Sequence, residues 1–176
     1  VVDFHDANLS FLSSFPDVSI SIDSLSVIGI DDFDGIILYQ ADQTNIDVNL
    51  PSLLGENSIP QINEIALTKP NINVVVLDSF RANYLITKDT TTDTSQPETK
   101  FKLALKKYSI TNGSLTYQDN TMALFAVLDN INHNGSGDFT QDIFDLDTNT
   151  EVEKLSVKYE GTQYLNNVKA NVQSII

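Results

Sequence analysis

The stretch DVSISIDSLSVIG, Asp17 to Gly29, decides the fold. Val18, Ile20 and Ile22 alternate with Ser19, Ser21 and Asp23, the two-residue period of a strand with one apolar and one polar face. After Ser24 the phase slips by one residue, and Leu25 and Val27 carry the apolar face onward. Such a strand raises the question of what covers the apolar face: a second protein layer, a partner chain, or something that is not protein.

The same pattern recurs along the chain. Strands are expected at Val18 to Ile28, Gly35 to Ala41, Thr44 to Leu50, Glu64 to Thr68 and Asn71 to Asp78, the last two joined by a KPN turn. More follow at Phe101 to Ile110, Ser114 to Gln118, Ala123 to Asn134, Phe144 to Asn149, Val152 to Glu160 and Val168 to Gln173. Asn112-Gly113 carries the composition of a hairpin turn. Two helical pieces are expected. Leu9, Phe11, Leu12 and Phe15 are spaced for one helical face, which predicts a short N-terminal helix near Asn8 to Phe15 ended by Pro16. PSLLGEN, from Pro51, reads as a helical turn closed by Gly55. Thr87 to Lys100 contains no apolar residue and reads as a polar linker between a first β unit, 1–86, and a second, 101–176.

EIALTKPNINVVVLD, from Glu64, can be laid over KYSITNGSLTYQDN, from Lys107. Each gives a short strand, a tight turn at Thr-Lys-Pro or Thr-Asn-Gly, and a second strand ending in an acid. One hairpin grammar used twice suggests a repeated β unit, with chance similarity in a β-rich chain as the competing account.

The totals exclude several functions. The chain has 176 residues, enough for a sizeable core, and 41% hydrophobic residues, so it should fold. Ten basic and 24 acidic side chains give a net charge of −14. That charge opposes binding to phosphate backbones and to anionic headgroups. There is no cysteine, hence no disulfide, thiolate metal site or cysteine nucleophile. No apolar run approaches the roughly 20 residues of a spanning helix. The chain opens at Val1 without an initiator Met, which reads as a processed product or an excised piece.

No catalytic set emerges, and the expectation is a protein that is not an enzyme and uses no cofactor. His5 and His133 are the only histidines, and no G-x-S-x-G occurs. NHNGSGDF around His133 lacks a phosphate-loop lysine and reads as a loop between strands. In DIFDLDTNTE, Asp145, Asp147 and Asn149 copy alternate ligands of a calcium loop, but Thr150 stands where Gly should turn and Ser156 where Glu should close the site. The simpler account makes these acids the wet face of a strand, so no metal is expected. Asp31 to Asp34, DDFD, reads as a turn. Asn8, Asn112 and Asn134 fit the glycosylation sequon, relevant only in a eukaryotic secretory setting.

Longer phrases carry a family resemblance. LSFLSSFPDVSISIDSLSVIG, with Phe15-Pro16 leading into Val18, resembles the start of the periplasmic part of AsmA-family proteins of Gram-negative bacteria. LPSLLGENSIPQINEIALTKPNINVVVLDSFRANYLI is similar to the next family phrase, through Ile65, Leu67, Lys69, Pro70 and Ile72 and the Ala82-Asn83-Tyr84 close. Ser79-Phe80-Arg81 departs from the Gly that often precedes that close. ITNGSLTYQDN resembles the strand pair that follows, and GSGDFTQDIFDLDTNTEVEKLSVKYEG the form of Bacteroidetes-type members.

The resemblance implies a mainly β, elongated, curved antiparallel sheet forming a groove, in an envelope protein that binds or conducts phospholipid in support of outer-membrane assembly. It implies a periplasmic location, an inner-membrane anchor preceding this chain, phospholipid or another acyl-chain lipid as partner, and no nucleic acid. Self-association of the piece is a further expectation, because an oily face seeks cover. The residues expected to line the groove are Val18, Ile20, Ile22, Ile46, Val48, Leu50, Ile72, Val74 and Val76. The rival reading is a structural or interaction β-sandwich of the bacterial envelope, in which the same side chains pack on an opposite sheet with no lipid ligand.

Overall fold

A computed structural model describes residues 1–11, 15–54, 61–86, 104–137 and 145–175. The strands are β1 (Val2–Asp3), β2 (Asp6–Ser10), β3 (Asp17–Asp23), β4 (Ser26–Ile28), β5 (Ile37–Gln40), β6 (Gln43–Asn49), β7 (Gln61–Thr68), β8 (Asn71–Asp78), β9 (Arg81–Ala82), β10 (Ala104–Asp119), β11 (Leu124–Ser136), β12 (Asp147–Tyr159) and β13 (Thr162–Ile175). One short helix, α1 (Leu50–Leu54), and a 3-10 turn at Asp31–Phe33 complete the described elements. All thirteen strands belong to one sheet. The fold is mainly β, a single open curved layer.

The pairing resolves this sheet into eight long strands, most of them bent in the middle. β1 and β2 continue one another along the edge, pairing with β4 and β3. β3 and β4 form the next line, β5 and β6 the third, and β7 and β8 the fourth. β10 to β13 supply the remaining four as unbroken strands. Neighbours are antiparallel, with one exception: β10 runs parallel to β7 over its first half and to β8 over its second. A parallel pair needs a long connection in sequence, and β8 ends at Asp78 while β10 begins at Ala104. The two expected halves, 1–86 and 101–176, are thus joined edge to edge in one sheet. The linker expected at Thr87 to Lys100 lies outside the described residues.

The internal echo has a spatial counterpart. Glu64 pairs with Lys107, Thr68 with Thr111, Asn71 with Ser114 and Val74 with Tyr117, the register in which the two sequences align. The breaks coincide too. Lys69 and Asn112 both take positive φ, 47° and 53°. The bend is hydrogen-bonded through, with the Lys69 N–H donating to the Thr111 carbonyl (2.8 Å) and the Ser114 N–H to the Pro70 carbonyl (2.7 Å).

Four sequence expectations are corrected. KPN is a kink between collinear strands, not a hairpin. Asn112-Gly113 also stays inside one strand, β10, as a bulge. The type I′ turn that Asn-Gly favours needs positive φ at both central residues; here Asn112 has it and Gly113 does not, and the residues on both sides of the pair stay on the same neighbour, β11. Glu160 and Gly161, with φ 46° and 79°, do meet that requirement, and they turn β12 into β13. The N-terminal helix is also overturned over Asn8 to Ser10, which lie in β2 with Leu9 opposite Ile20 and Ala7 opposite Ile22. Residues 12–14 are outside the described set. The loop reading of His133 fails as well, since Asn132 to Ser136 belong to β11. The helical turn after Pro51 stands as α1, its end at Gly55 lying outside the described residues.

Bends line up from strand to strand. The His5 N–H donates to Asp23, Ser24 to Asp42, Asp42 to Thr68 and Lys69 to Thr111, all through backbone carbonyls at 2.8–3.1 Å. Positive φ recurs along this line at Ser24, Lys69, Asn112 and Asn130. Three of these four are Ser or Asn, and Asn in particular tolerates the left-handed region. A crease therefore crosses the sheet and divides it into two limbs.

The side chains on this crease form much of the molecule's small core. Ala41 is 1% exposed, Val152 4% and Ile131 9%, and Pro70 is fully buried. Pro is tolerated inside this sheet because the bend frees it from donating a ladder hydrogen bond. Gly113 leaves no room for a side chain: an added Cβ would lie 2.6 Å from Ile110 Cγ2 and 3.2 Å from Pro70 Cγ.

Candidate functional site

The crease explains the phase slip at Ser24. In the second limb, Val2, Val27, Tyr39, Ile72, Leu115, Leu128, Leu155 and Val168 are successive register partners across all eight strands. Next to them, Asp3, Ser26, Gln40, Asn71, Ser114, Asp129 and Lys154 form a row of polar partners pointing the other way. In the first limb the inner row is Ala7, Ile22, Thr44, Leu67, Ile110, His133 and Thr150. From Ile22 to Val27 is five positions, as it is from Tyr39 to Thr44, Leu67 to Ile72, Ile110 to Leu115, Leu128 to His133 and Thr150 to Leu155. In an uninterrupted strand an odd spacing would put the two limbs' apolar rows on opposite faces. The extra residue at each bend returns them to one face.

That face is concave. Among the described residues the sheet is one layer thick, and what shields the crease residues from water there is the overhang of the two flanking limbs. The Tyr39 hydroxyl reaches across the bend to the Thr44 hydroxyl, 2.8 Å away. On the outside of the same bend, Lys69 and Asp42 form an ion pair at 2.9 Å with both side chains more than half exposed. Such a pair contributes at most about 1 kcal/mol. The result is an apolar trough backed by a polar convex surface. Among the described residues, no second sheet faces it.

The nine residues singled out from the sequence fall on both limbs. Val18, Ile20 and Ile22 lie on β3, with Val48 and Ile46 opposite the first two and Thr44 opposite the third. Ile72, Val74 and Val76 lie on β8 in the other limb, and Leu50 is the first residue of α1. Val18, Val48 and Val76 are buried, while Ile20, Ile22, Ile46, Leu50, Ile72 and Val74 are half-buried. The sequence reading missed Tyr39, Leu115, Leu128, Leu155 and Val168. The signal that finds them is the five-position spacing repeated from strand to strand.

His133 stands in this inner wall. Its ring lies 5.2 Å from that of Tyr108, and its Nδ1 is 2.7 Å from the Thr150 hydroxyl. Partial burial pushes its pKa below the usual histidine value, so it is neutral at pH 7. Tyr108 in turn lies over Gly135, its register partner, where any side chain would collide with the phenol ring. Lys106 reaches Asn63 Oδ1 at 2.9 Å near the end of the first limb.

At one end of the second limb the trough deepens into an open cavity of about 520 Å³. Val2 and Val27, members of the inner row, line one side; Phe80, Ala82, Leu85 and Ile86 line the other. The volume lies in the range of small-molecule sites, about 300–1,000 Å³. Phe80 is 88% exposed and Ile86 71%, so the rim itself is apolar. The one guanidinium lining the cavity, Arg81, is taken by carboxylates: its Nη1 bonds Asp32 at 2.9 Å and its Nε bonds Asp78 at 2.7 Å. The guanidinium hydrogen bond also holds the Asp78 carboxyl below its usual range. This corner has hydrocarbon to offer and no uncompensated arginine.

Asn83 fixes the wall of that cavity. It is 5% exposed; its Oδ1 accepts the Val75 N–H at 2.9 Å and its Nδ2 donates to the Asn73 carbonyl at 2.6 Å. The side-chain amide thus imitates a strand along the stretch of β8 that β5 does not cover. Asn83→Ala leaves a donor and an acceptor of β8 unpaired and should cost about 1–3 kcal/mol, read as a lower urea midpoint with an unchanged slope.

Asp119 holds the opposite turn. Its Oδ1 accepts from the Thr121 hydroxyl (2.6 Å) and from the N–H groups of Thr121 (2.8 Å) and Met122 (3.1 Å), and its Oδ2 from the Tyr117 hydroxyl (3.1 Å). The Thr121 bond, ahead of the two N–H bonds, depresses the Asp119 pKa despite desolvation working against it. A carboxyl with a lowered folded-state pKa stabilises the fold above its unfolded value, about 3.9, and that contribution is lost as pH falls through the lower folded value. The melting-temperature gap between wild type and Asp119→Asn should therefore narrow below about pH 4. A gap that is constant with pH would remove the carboxylate from this role.

Among the described residues no group of three or more His, Asp or Glu could hold a metal ion. Asp147 and Asn149 lie in β12, opposite Ile175 and Gln173, on the convex face. No helix among the described residues is long and apolar enough to cross a membrane. No protein-family model and no curated protein matches the chain.

Proposed function

We propose that this chain binds an acyl-chain amphiphile, with phospholipid as the natural case, along the apolar trough. The observation that carries the reading is the inner row from Val2 to Val168, eight strands wide and uncovered by protein among the described residues. An exposed apolar surface of this extent on a monomer marks a binding site. Hydrocarbon fits it better than a polar ligand, because the trough supplies few directed donors apart from Tyr39, His133 and Thr150. The net charge of −14 favours handling one lipid at a time over docking on an anionic membrane surface.

The AsmA-like phrases in the sequence extend this proposal to a setting: a periplasmic part of an envelope protein, anchored in the inner membrane by residues outside this chain, that conducts phospholipid in support of outer-membrane biogenesis. The chemistry is binding and passage, with no reaction catalysed. The rival reading, a structural β-sandwich, requires a second sheet over the trough.

The test is native mass spectrometry of protein purified from a Gram-negative envelope without detergent, joined to displacement of a fluorescent fatty-acid analogue by added phospholipid. Retained phospholipid and competitive displacement are expected. A ligand-free protein that does not take up the analogue overturns the reading.

A further inference from the structure

His133 is the one member of the first limb's inner row that can change its charge near neutral pH. It stands between Ile110 on β10 and Thr150 on β12. Its ring is seated against Tyr108, 5.2 Å away, which in turn lies over Gly135. The two ring nitrogens have different surroundings. Nδ1 is 2.7 Å from the Thr150 hydroxyl, a group that can donate or accept and so serves the ring in both protonation states. Nε2 has no hydrogen-bond partner among the described residues, which leaves it to the solvent of the trough.

The charged groups nearby do not favour an imidazolium. On β10, alternation from Ile110 and Tyr108 puts Lys106 on the same face, where its ammonium bonds Asn63, while Lys107 is turned away and paired with Glu64. On β12, Thr148 and Thr150 share the inner face, Asp147 and Glu151 alternate onto the convex one, and Glu153, past the bend, is taken by Asn130. On β11 itself, Asp129 pairs with Lys154 on the convex side. Among the described residues no carboxylate faces the ring to hold a proton on it.

We infer that the trough releases its acyl chain on acidification, because a proton on His133 and hydrocarbon over His133 oppose one another. The inference rests on the proposal that the trough binds such chains, and adds how that binding is controlled. A neutral ring under an acyl chain leaves one nitrogen without a partner. A protonated ring carries a charge and two N–H donors; Thr150 serves one donor, and the other needs the water that the chain displaces. Covering the charge costs far more than covering the neutral nitrogen. By reciprocity, the chain lowers the proton affinity of His133 by the same factor as the proton lowers the affinity for the chain. Burial already holds the His133 pKa below the usual histidine value of about 6.5, and a bound chain pushes it lower still. Binding is therefore full above the ligand-free pKa, weakens as pH falls through it, and levels off below the ligand-bound pKa. If the chain lowers the proton affinity about tenfold, acid weakens the chain's binding by the same factor.

The probe is a short-chain phosphatidylcholine with a fluorophore on its acyl chain, chosen because its head group does not titrate over the range used. Wild type should bind it at least about threefold more weakly at about pH 5 than at about pH 7.5. The chain has two histidines, so both ring signals can be followed by NMR. His133 should titrate at lower pH with lipid bound than without, while the lipid leaves the titration of exposed His5 unchanged. His133→Gln keeps a polar side chain that cannot titrate, and should bind equally at both pH values; His5→Gln should retain the wild-type dependence. No binding at pH 7.5 removes the trough reading, and this inference with it. Binding at pH 7.5 that persists undiminished at pH 5, a His133 pKa that does not fall when lipid binds, or a His133→Gln protein that weakens with acid as wild type does, overturns this inference and leaves the trough reading standing.

Discussion

Ile131→Asp should unfold this protein. Ile131 sits on the crease, 9% exposed, between Gly113 on β10 and Val152 on β12. Both limbs of the sheet rise around it, so a carboxylate there cannot turn toward water without opening the bend. The substitution removes a buried apolar side chain, worth about 2–5 kcal/mol when truncated to Ala. It then adds the cost of an unpaired charge, which the protein can reduce only by protonating it. Native domains have about 5–15 kcal/mol in all, and a single-layer sheet with so few fully buried side chains belongs at the low end. The expected result is loss of the cooperative thermal transition at neutral pH, with partial recovery in mild acid where the carboxyl is neutral. Ile131→Val, which keeps the apolar contact, should cost only about 0.5–1.5 kcal/mol. A well-folded Ile131→Asp with a normal melt would mean that the crease is not the core.

The strand inventory was legible in the sequence because a two-residue period is a strong signal wherever one face is wet. Helix α1 was also legible, from Leu-rich spacing bounded by Pro51 and Gly55. The N-terminal helix was misread because Leu9, Phe11, Leu12 and Phe15 satisfy a helical spacing by composition alone, while edge pairing of Leu9 with Ile20 and Ala7 with Ile22 draws Asp6 to Ser10 into the sheet. Local propensity is a weak prior against such pairing. Asn112-Gly113 was misread for a different reason: the same residue that opens a hairpin turn also forms a bulge, and the two are separated by the pairing, in which the residues on both sides of Asn112-Gly113 keep the same neighbour, β11. The phase slip at Ser24 was visible from the start. Its meaning was not, because one slip looks like an irregularity, and only the register shows slips lying side by side as a crease. For the same reason half of the trough was found. Val18 to Ile22 and Ile72 to Val76 announce themselves by alternation, whereas Leu115, Leu128, Leu155 and Val168 join the inner wall only once the strands are placed next to one another.

Ile20→Asp should do the reverse of Ile131→Asp: leave the fold and abolish the ligand. Ile20 is half-buried on the inner face of the first limb, between Leu9 and Ile46. Partial burial limits the lost hydrophobic contribution to about 1–2 kcal/mol. The new carboxylate projects into an open trough and keeps its hydration, so the charge-burial cost that makes Ile131→Asp lethal does not arise. A bound acyl chain changes that balance. Hydrocarbon laid against position 20 would have to desolvate the carboxylate or lose contact with the surrounding Ile22, Ile46 and Ile65, and a penalty of about 1.4 kcal/mol or more means at least a tenfold loss of affinity. The expected outcome is a cooperative urea melt shifted modestly to lower midpoint, together with loss of co-purifying phospholipid and of fatty-acid-analogue binding. Ile20→Leu, which preserves the apolar surface, should retain both. If Ile20→Asp collapses the fold as Ile131→Asp does, the face is covered by protein and the trough is not a binding surface; if it folds and binds lipid as well as wild type, the ligand lies elsewhere on the molecule.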